Sequence, residues 1–155
     1  MYSREEASQI RKAFWTAFGQ YMRPIPSADG LKVNWVNYKT GFKGLSFSLN
    51  VDKKNAYLGI VLNQKDPDLR SLFYEQLLEL KSVLHAQLGE EWIWEETATN
   101  AQHQEISQVY TLLPTVSIFR QEDWPSIIAF FKPRLIALDE FWSMGKYHFE
   151  PLRML

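Results

Sequence analysis

The sequence predicts an α+β fold: a mostly antiparallel sheet of about five to six strands with three helices, in the order α-βββ-α-βββ-α. Three observations predict it. Apolar residues recur at helical spacing in three long segments. Apolar and polar residues alternate from Leu45 to Val51, as in a strand with one buried and one wet face. Short polar turns separate the strand candidates, and turns that short join antiparallel neighbours.

Ser3-Arg4-Glu5-Glu6 reads as a capping box that opens the first helix, with the Ser3 hydroxyl and the Glu6 carboxylate each accepting from a free backbone N–H. Ile10, Ala13, Phe14, Ala17, Phe18, Tyr21 and Met22 form its apolar stripe. Pro24 and Pro26 end it, because proline lacks the amide donor and restricts the residue before it. A turn at 27–30 leads into strands expected at 31–39, 44–51 and 55–63. Thr40-Gly41 and Asp52-Lys53-Lys54-Asn55 are the turns between them.

Asp66-Pro67-Asp68 starts the second helix, with proline in its first turn. One stripe runs from Leu69 through Leu72, Phe73, Leu77, Leu80 and Leu84 to Leu88, and Gly89 is placed to cap its end. Strands are expected at 91–97, 105–112 and 115–119, with a polar loop at Thr99–Gln104 before the second of them. The third helix is expected from Asp123-Trp124-Pro125 to Trp142. Apolar residues cover much of its circumference, which implies packing between neighbours, and Pro133 removes one of its hydrogen bonds and is expected to kink it.

A chain of 155 residues with 46 % hydrophobic residues is expected to form one domain spanning 1–155. Six Trp, seven Tyr and ten Phe supply more aromatic area than a core of this size needs, which leaves rings for an interface or pocket. With no cysteine, disulfides, thiolate nucleophiles and Cys-ligated metals are excluded. The start lacks an apolar signal core and no run is long enough to span a membrane, so the expectation is a cytoplasmic protein with no membrane partner.

Charge is split along the chain. Residues 1–65 hold ten Lys/Arg against four Asp/Glu, and residues 66–155 hold seven against fourteen, beneath a formal total of −1. A basic surface attracts polyanions. The alternative is that the halves interleave in the fold and neutralise each other.

Sequences that would name a reaction fail one by one. Pro67-Asp68 with Glu79-Leu80-Lys81 matches, as text, the Asp and Glu-x-Lys that hold Mg²⁺ in nucleases. Both parts fall on the second helix, about 16 Å apart, with Lys81 turned about 200° from Glu79. The strand at 55–63, where Glu-x-Lys would belong, carries no charge from Ala56 to Leu62. His85, His103 and His148 have no ligand spacing; one partly buried and two exposed histidines are expected. Hydrolase elbows and phosphate loops are absent from the sequence. Glu90, Glu91, Glu95 and Glu96 around Trp92-Ile93-Trp94 imitate paired catalytic carboxylates, but solubilising charges at the ends of a strand explain them as well. No catalytic residue, no metal ligand and no cofactor is assigned.

The stretch Lys32–Lys43 mixes cations with rings, as single-stranded nucleic-acid binders do. Lys32, Asn34, Asn37, Tyr38, Lys39 and Lys43 are its candidate nucleic-acid or partner-binding residues, on a basic aromatic sheet face. Val33 and Trp35 would point to the core, which also leaves room for Lys32, Asn34 and Tyr38 being an ordinary wet face. The expected function is a non-catalytic interaction module whose partner is a nucleic acid or a protein. A small-molecule sensor with an aromatic pocket is the alternative. A homodimer is a further option, because exposed Trp would otherwise be a solubility liability.

Phe14-Trp15, Lys32-Val33-Asn34-Trp35, Leu88-Gly89-Glu90-Glu91-Trp92-Ile93-Trp94 and Asp123-Trp124-Pro125, followed by Phe130-Phe131 and Leu138…Phe141-Trp142, together resemble a bacterial family catalogued only as a domain of unknown function. The resemblance covers roughly the whole chain. In other members a similar domain looks joined to the C-terminal side of an endonuclease-like module, whereas this chain looks like a stand-alone version. The resemblance implies work near DNA, or a catalytically degenerate endonuclease-like protein, and brings no reaction or catalytic residue with it.

Overall fold

The Ser3 hydroxyl accepts from the Glu6 amide at 3.1 Å and the Glu6 carboxylate accepts from the Ser3 amide at 3.0 Å, so the capping box closes as read from the sequence. It opens α1 (Arg4–Met22), in a computed structural model that describes residues 2–155. α1 buries Phe14, Phe18 and Met22, one residue per turn on a single face.

Four strands form one antiparallel sheet: β1 (Leu45–Val51), β2 (Asn55–Leu62), β3 (Ile93–Thr99) and β4 (Glu105–Pro114), in the spatial order β1-β2-β4-β3. Leu45, Phe47 and Val51 of β1, with Ala56, Leu58, Ile60 and Leu62 of β2 and Val109 of β4, are buried on the face that the helices cover. On the other face Tyr57 stacks on Tyr110 at 5.4 Å. There the Tyr57 hydroxyl donates to Gln108 at 2.6 Å, and the Gln108 amide donates to Glu95 at 2.7 Å.

Among the described residues four α-helices, not three, accompany four strands, not five or six. The expected second helix is two: α2 (Pro67–Glu79) and α3 (Lys81–Leu88), separated at Leu80, whose φ of −98° and ψ of 9° leave the helical region. The two halves serve different partners, α2 packing on β2, β4 and the C-terminal segment and α3 on the last helix. A straight helix could not face both. Gly89 ends α3 in the left-handed conformation at φ +71°, where a side chain would be strained.

The last helix, α4 (Trp124–Gly145), runs through Pro133 without interruption and continues into 3₁₀ turns over Lys146–Met154. It lies between layers, as its all-round apolar sequence implies. Phe131 meets Phe18 of α1 at 5.5 Å, and Trp142 meets Phe47 of the sheet at 6.0 Å. One contiguous core results.

Two expected strands do not form. Residues 31–39 pair with nothing: Trp35 is buried between the exposed Lys32 and Asn34, but Asn37 and Lys39, which a strand would place on the Trp35 face, are exposed too, so the two-residue period breaks at Val36. The Asn34 side chain takes over the local backbone, accepting from the amides of Val36 at 3.1 Å and Asn37 at 3.0 Å. The Trp35 indole donates to the Ile25 carbonyl at 2.9 Å and pins the segment as an irregular strap. β1 is therefore an edge strand. Residues 115–119 likewise leave the ladder: β4 ends at Pro114, Thr115 turns at φ +63°, and Val116 and Ile118 donate to the carbonyls of Lys54 and Asp52 in the β1–β2 turn.

Candidate functional site

The strap at 31–43 is not on the sheet face, and its candidate residues separate into three groups. Lys32 and Asn34 line one cleft, Lys43 lines another, and Asn37, Tyr38 and Lys39 line neither.

Tyr38 is committed to the interior. Its ring stacks on Phe47 at 4.8 Å and its hydroxyl donates to Asp139 of α4 at 2.5 Å. Asp139 is only 3 % exposed, and its second carboxylate oxygen accepts from the Ala28 amide at 2.6 Å. Burial, and then the hydrogen bond to Asp139, hold the Tyr38 phenol well above the usual tyrosine range. This pair ties the strap to α4.

The first cleft, of about 530 Å³, runs between the second half of α1 and residues 32–35. Trp15, Arg23, Lys32 and Asn34 line it, and no carboxylate does. Gly19 of α1, which lines this cleft, faces Val36 of the strap with room for a Cβ at ordinary contact distance, 3.7 Å. Trp15 is half-buried against Phe14, Phe18 and Phe131 and lines this cleft.

The second cleft is larger, about 960 Å³. It opens where the turn before β1, the end of β2 and the start of α2 meet the C-terminal 3₁₀ segment. Lys43, Lys65, Arg70 and Arg153 line it, against Asp66 and Glu105. Arg70 is buried and spoken for: it donates to the Gln64 carbonyl at 2.7 Å and pairs with Glu105. Gln64, 8 % exposed, is the anomaly, because neither its Nε2 nor its Oε1 has a hydrogen-bond partner among the described residues. A buried amide left unpaired costs about 1–3 kcal/mol. Sequence reasoning missed both Gln64 and Trp15; a glutamine after an apolar strand and a tryptophan in a helix carry no pattern that separates site from scaffold.

The ion pairs fall unevenly between the two charge halves. Arg70–Glu105, Arg120–Asp123, Arg134–Glu90 and Arg153–Glu150 all lie within residues 66–155. Among the described residues, none of the ten Lys/Arg of the first 65 forms an ion pair.

The remaining chemistry-bearing residues do not converge. Glu90 accepts from the Trp92 indole and from Arg134, Glu95 accepts from Gln108, and Glu91 and Glu96 are exposed. His85 is half-buried and accepts from the Trp94 indole at 3.2 Å, while His103 and His148 are exposed. Among the described residues no three His, Asp or Glu side chains gather as metal ligands, and no helix is long and apolar enough to cross a membrane. All six Trp are buried or half-buried, so the solubility argument for a homodimer has no exposed indole to rest on.

No curated protein and no solved structure matches the chain. One family model matches residues 10–146, which takes in α1 from Ile10 onward, all four strands and α2 to α4. The chain belongs to the family described as domain of unknown function DUF4268.

Proposed function

We propose that this chain is a non-catalytic binding module that engages single-stranded nucleic acid through the cleft between α1 and residues 32–35. The observation that carries the reading is the cleft's composition: Arg23 and Lys32, both without an ion-pair partner, flank Trp15, and no carboxylate faces them. Cations that track phosphates beside a ring that receives a base are what sequence-tolerant strand binding needs. Asn34 adds a side chain at the same cleft, although its oxygen already serves the strap. Lys39 and Lys43 extend the unpaired positive charge along the strap and steer a polyanion towards it. The resemblance to a bacterial family whose other members carry an endonuclease-like neighbour agrees with this reading.

The test is fluorescence anisotropy with a labelled 20-nucleotide deoxythymidine strand. Two or three phosphate contacts predict an affinity loss of roughly 7- to 18-fold between 50 and 200 mM salt. Arg23→Ala with Lys32→Ala should weaken binding and flatten that dependence. Absence of binding at 50 mM salt, or an unchanged salt dependence in the double variant, would leave a protein partner as the reading.

A further inference from the structure

Gln64 is an amide waiting for a partner. It lies where β2 hands over to α2, and its side chain runs across Gly44, which adopts φ +83°. A Cβ on Gly44 would come within 2.7 Å of Gln64 Cγ and 3.0 Å of Nε2, so the glycine leaves the space that the carboxamide occupies. That space belongs to the wall of the 960 Å³ cleft. Because neither polar atom is paired within the protein, turning the carboxamide towards a ligand gains hydrogen bonds and breaks none.

The surroundings narrow the ligand's chemistry. The Arg153 guanidinium carbon lies over the Phe42 ring, 3.9 Å from its centroid. Glu150 and the Gly41 carbonyl, which accepts at 2.9 Å, hold it there. A fixed guanidinium plane is a stacking surface for a flat heteroaromatic ring. Lys43 and Lys65 stand on the same cleft without ion-pair partners and supply charge for an anionic group. Gln64 itself offers an adjacent donor and acceptor, the pattern with which a glutamine carboxamide matches adenine N7 and N6. The volume falls within the usual range for small-molecule sites.

We infer that this cleft is a binding site for an adenine mononucleotide, with Gln64 reading the base, Arg153 stacking on it, and Lys43 and Lys65 holding the phosphate. The site is separate from the cleft beside α1, shares no lining residue with it, and stands or falls without it.

The experiment is a thermal-shift titration with AMP, adenosine and ribose 5-phosphate, backed by calorimetric Kd values. AMP at a hundredfold excess over its Kd should raise the melting temperature by about 5–10 °C, more than either fragment. Gln64→Met replaces the unpaired amide with an apolar side chain of similar size. It should melt no lower than the parent and lose about 5- to 150-fold in AMP affinity. Lys43→Ala with Lys65→Ala changes only exposed residues and should cost AMP about tenfold while leaving adenosine unaffected. No shift with AMP at millimolar concentration would overturn the inference, as would equal shifts from AMP and ribose 5-phosphate. AMP affinity unchanged in Gln64→Met would do the same. Should Gln64→Met not fold, the lysine double variant decides: AMP binding unchanged there also overturns it.

Discussion

At the scale of single residues, side chains with a polar tip divide between tying the fold together and facing its clefts. Tyr38 belongs to the first group. Its hydroxyl is one of the two donors that satisfy the buried Asp139, across 101 positions of sequence. Tyr38→Phe leaves a buried carboxylate with one donor fewer, and hydrogen bonds to charged groups contribute about 1.5–3 kcal/mol. Urea denaturation should show a loss of that size. A loss below about 0.5 kcal/mol would mean that the tie is not stabilising. Arg70 has the same kind of role, bracing the corner between β2 and α2. Gln64, beside it, lacks any such partner, and that contrast between neighbours is what separates strut from site.

At the scale of elements, the fold departs from simple periodicity where one segment must satisfy two neighbours. The α2–α3 break at Leu80 lets Leu77, Leu80 and Leu84 all remain buried although their elements face different layers. The strap at 31–39 shows the converse: a run rich in strand-forming residues without a ladder, because the Asn34 carboxamide and the Trp35 indole anchor the backbone instead. Within β2, Gly59 is required by its neighbour. The Tyr57 ring lies over it, and a Cβ at Gly59 would collide with the phenol and sit 2.8 Å from the ring carbon that bears it. Gly59→Ala must push Tyr57 away from Gln108 and break the Tyr57–Gln108–Glu95 chain. A destabilisation of about 1–3 kcal/mol is expected for such overpacking. In a double-mutant cycle with Tyr57→Val the penalty should largely vanish, and an undiminished penalty would place the conflict elsewhere.

At the scale of the whole molecule, tyrosine burial sets how stability responds to alkali. Burial raises the phenols of Tyr38 and Tyr57 well above their ordinary value, and those of Tyr74 and Tyr110 move the same way, with Glu95 adding to the shift in all but Tyr38. The folded protein thus keeps protons that the unfolded chain releases from about pH 10 upwards. Their contribution is fully present below that pH and declines as the pH rises beyond it. Unfolding free energy should therefore fall above pH 10, and the combined Tyr38→Phe and Tyr57→Phe variant should fall less steeply from a lower plateau. Equal slopes in parent and variant would refute the assignment. The uneven pairing of charge belongs to this scale too, since it depends on which cations the fold brings to carboxylates rather than on their number.

Much of this was legible from the chain alone. The capping box at Ser3–Glu6, α1, the hairpin of β1 and β2, the Gly89 cap and the interior position of α4 follow from local spacing, because capping, turn chemistry and helical period act between residues close in sequence. The α+β class follows from their order. What only the tertiary structure decided acts between distant residues: whether the alternating stretch at 31–39 pairs as a strand, where the second helix bends, and which cations meet carboxylates. It also decided that Trp15 and Arg23 meet Lys32, and that Gln64, Phe42 and Arg153 share one cleft. Hydrogen-bond partners and cleft walls are contributed by segments far apart along the chain. A one-dimensional pattern records each side chain's tendency to be buried, but not which other side chain it will find there.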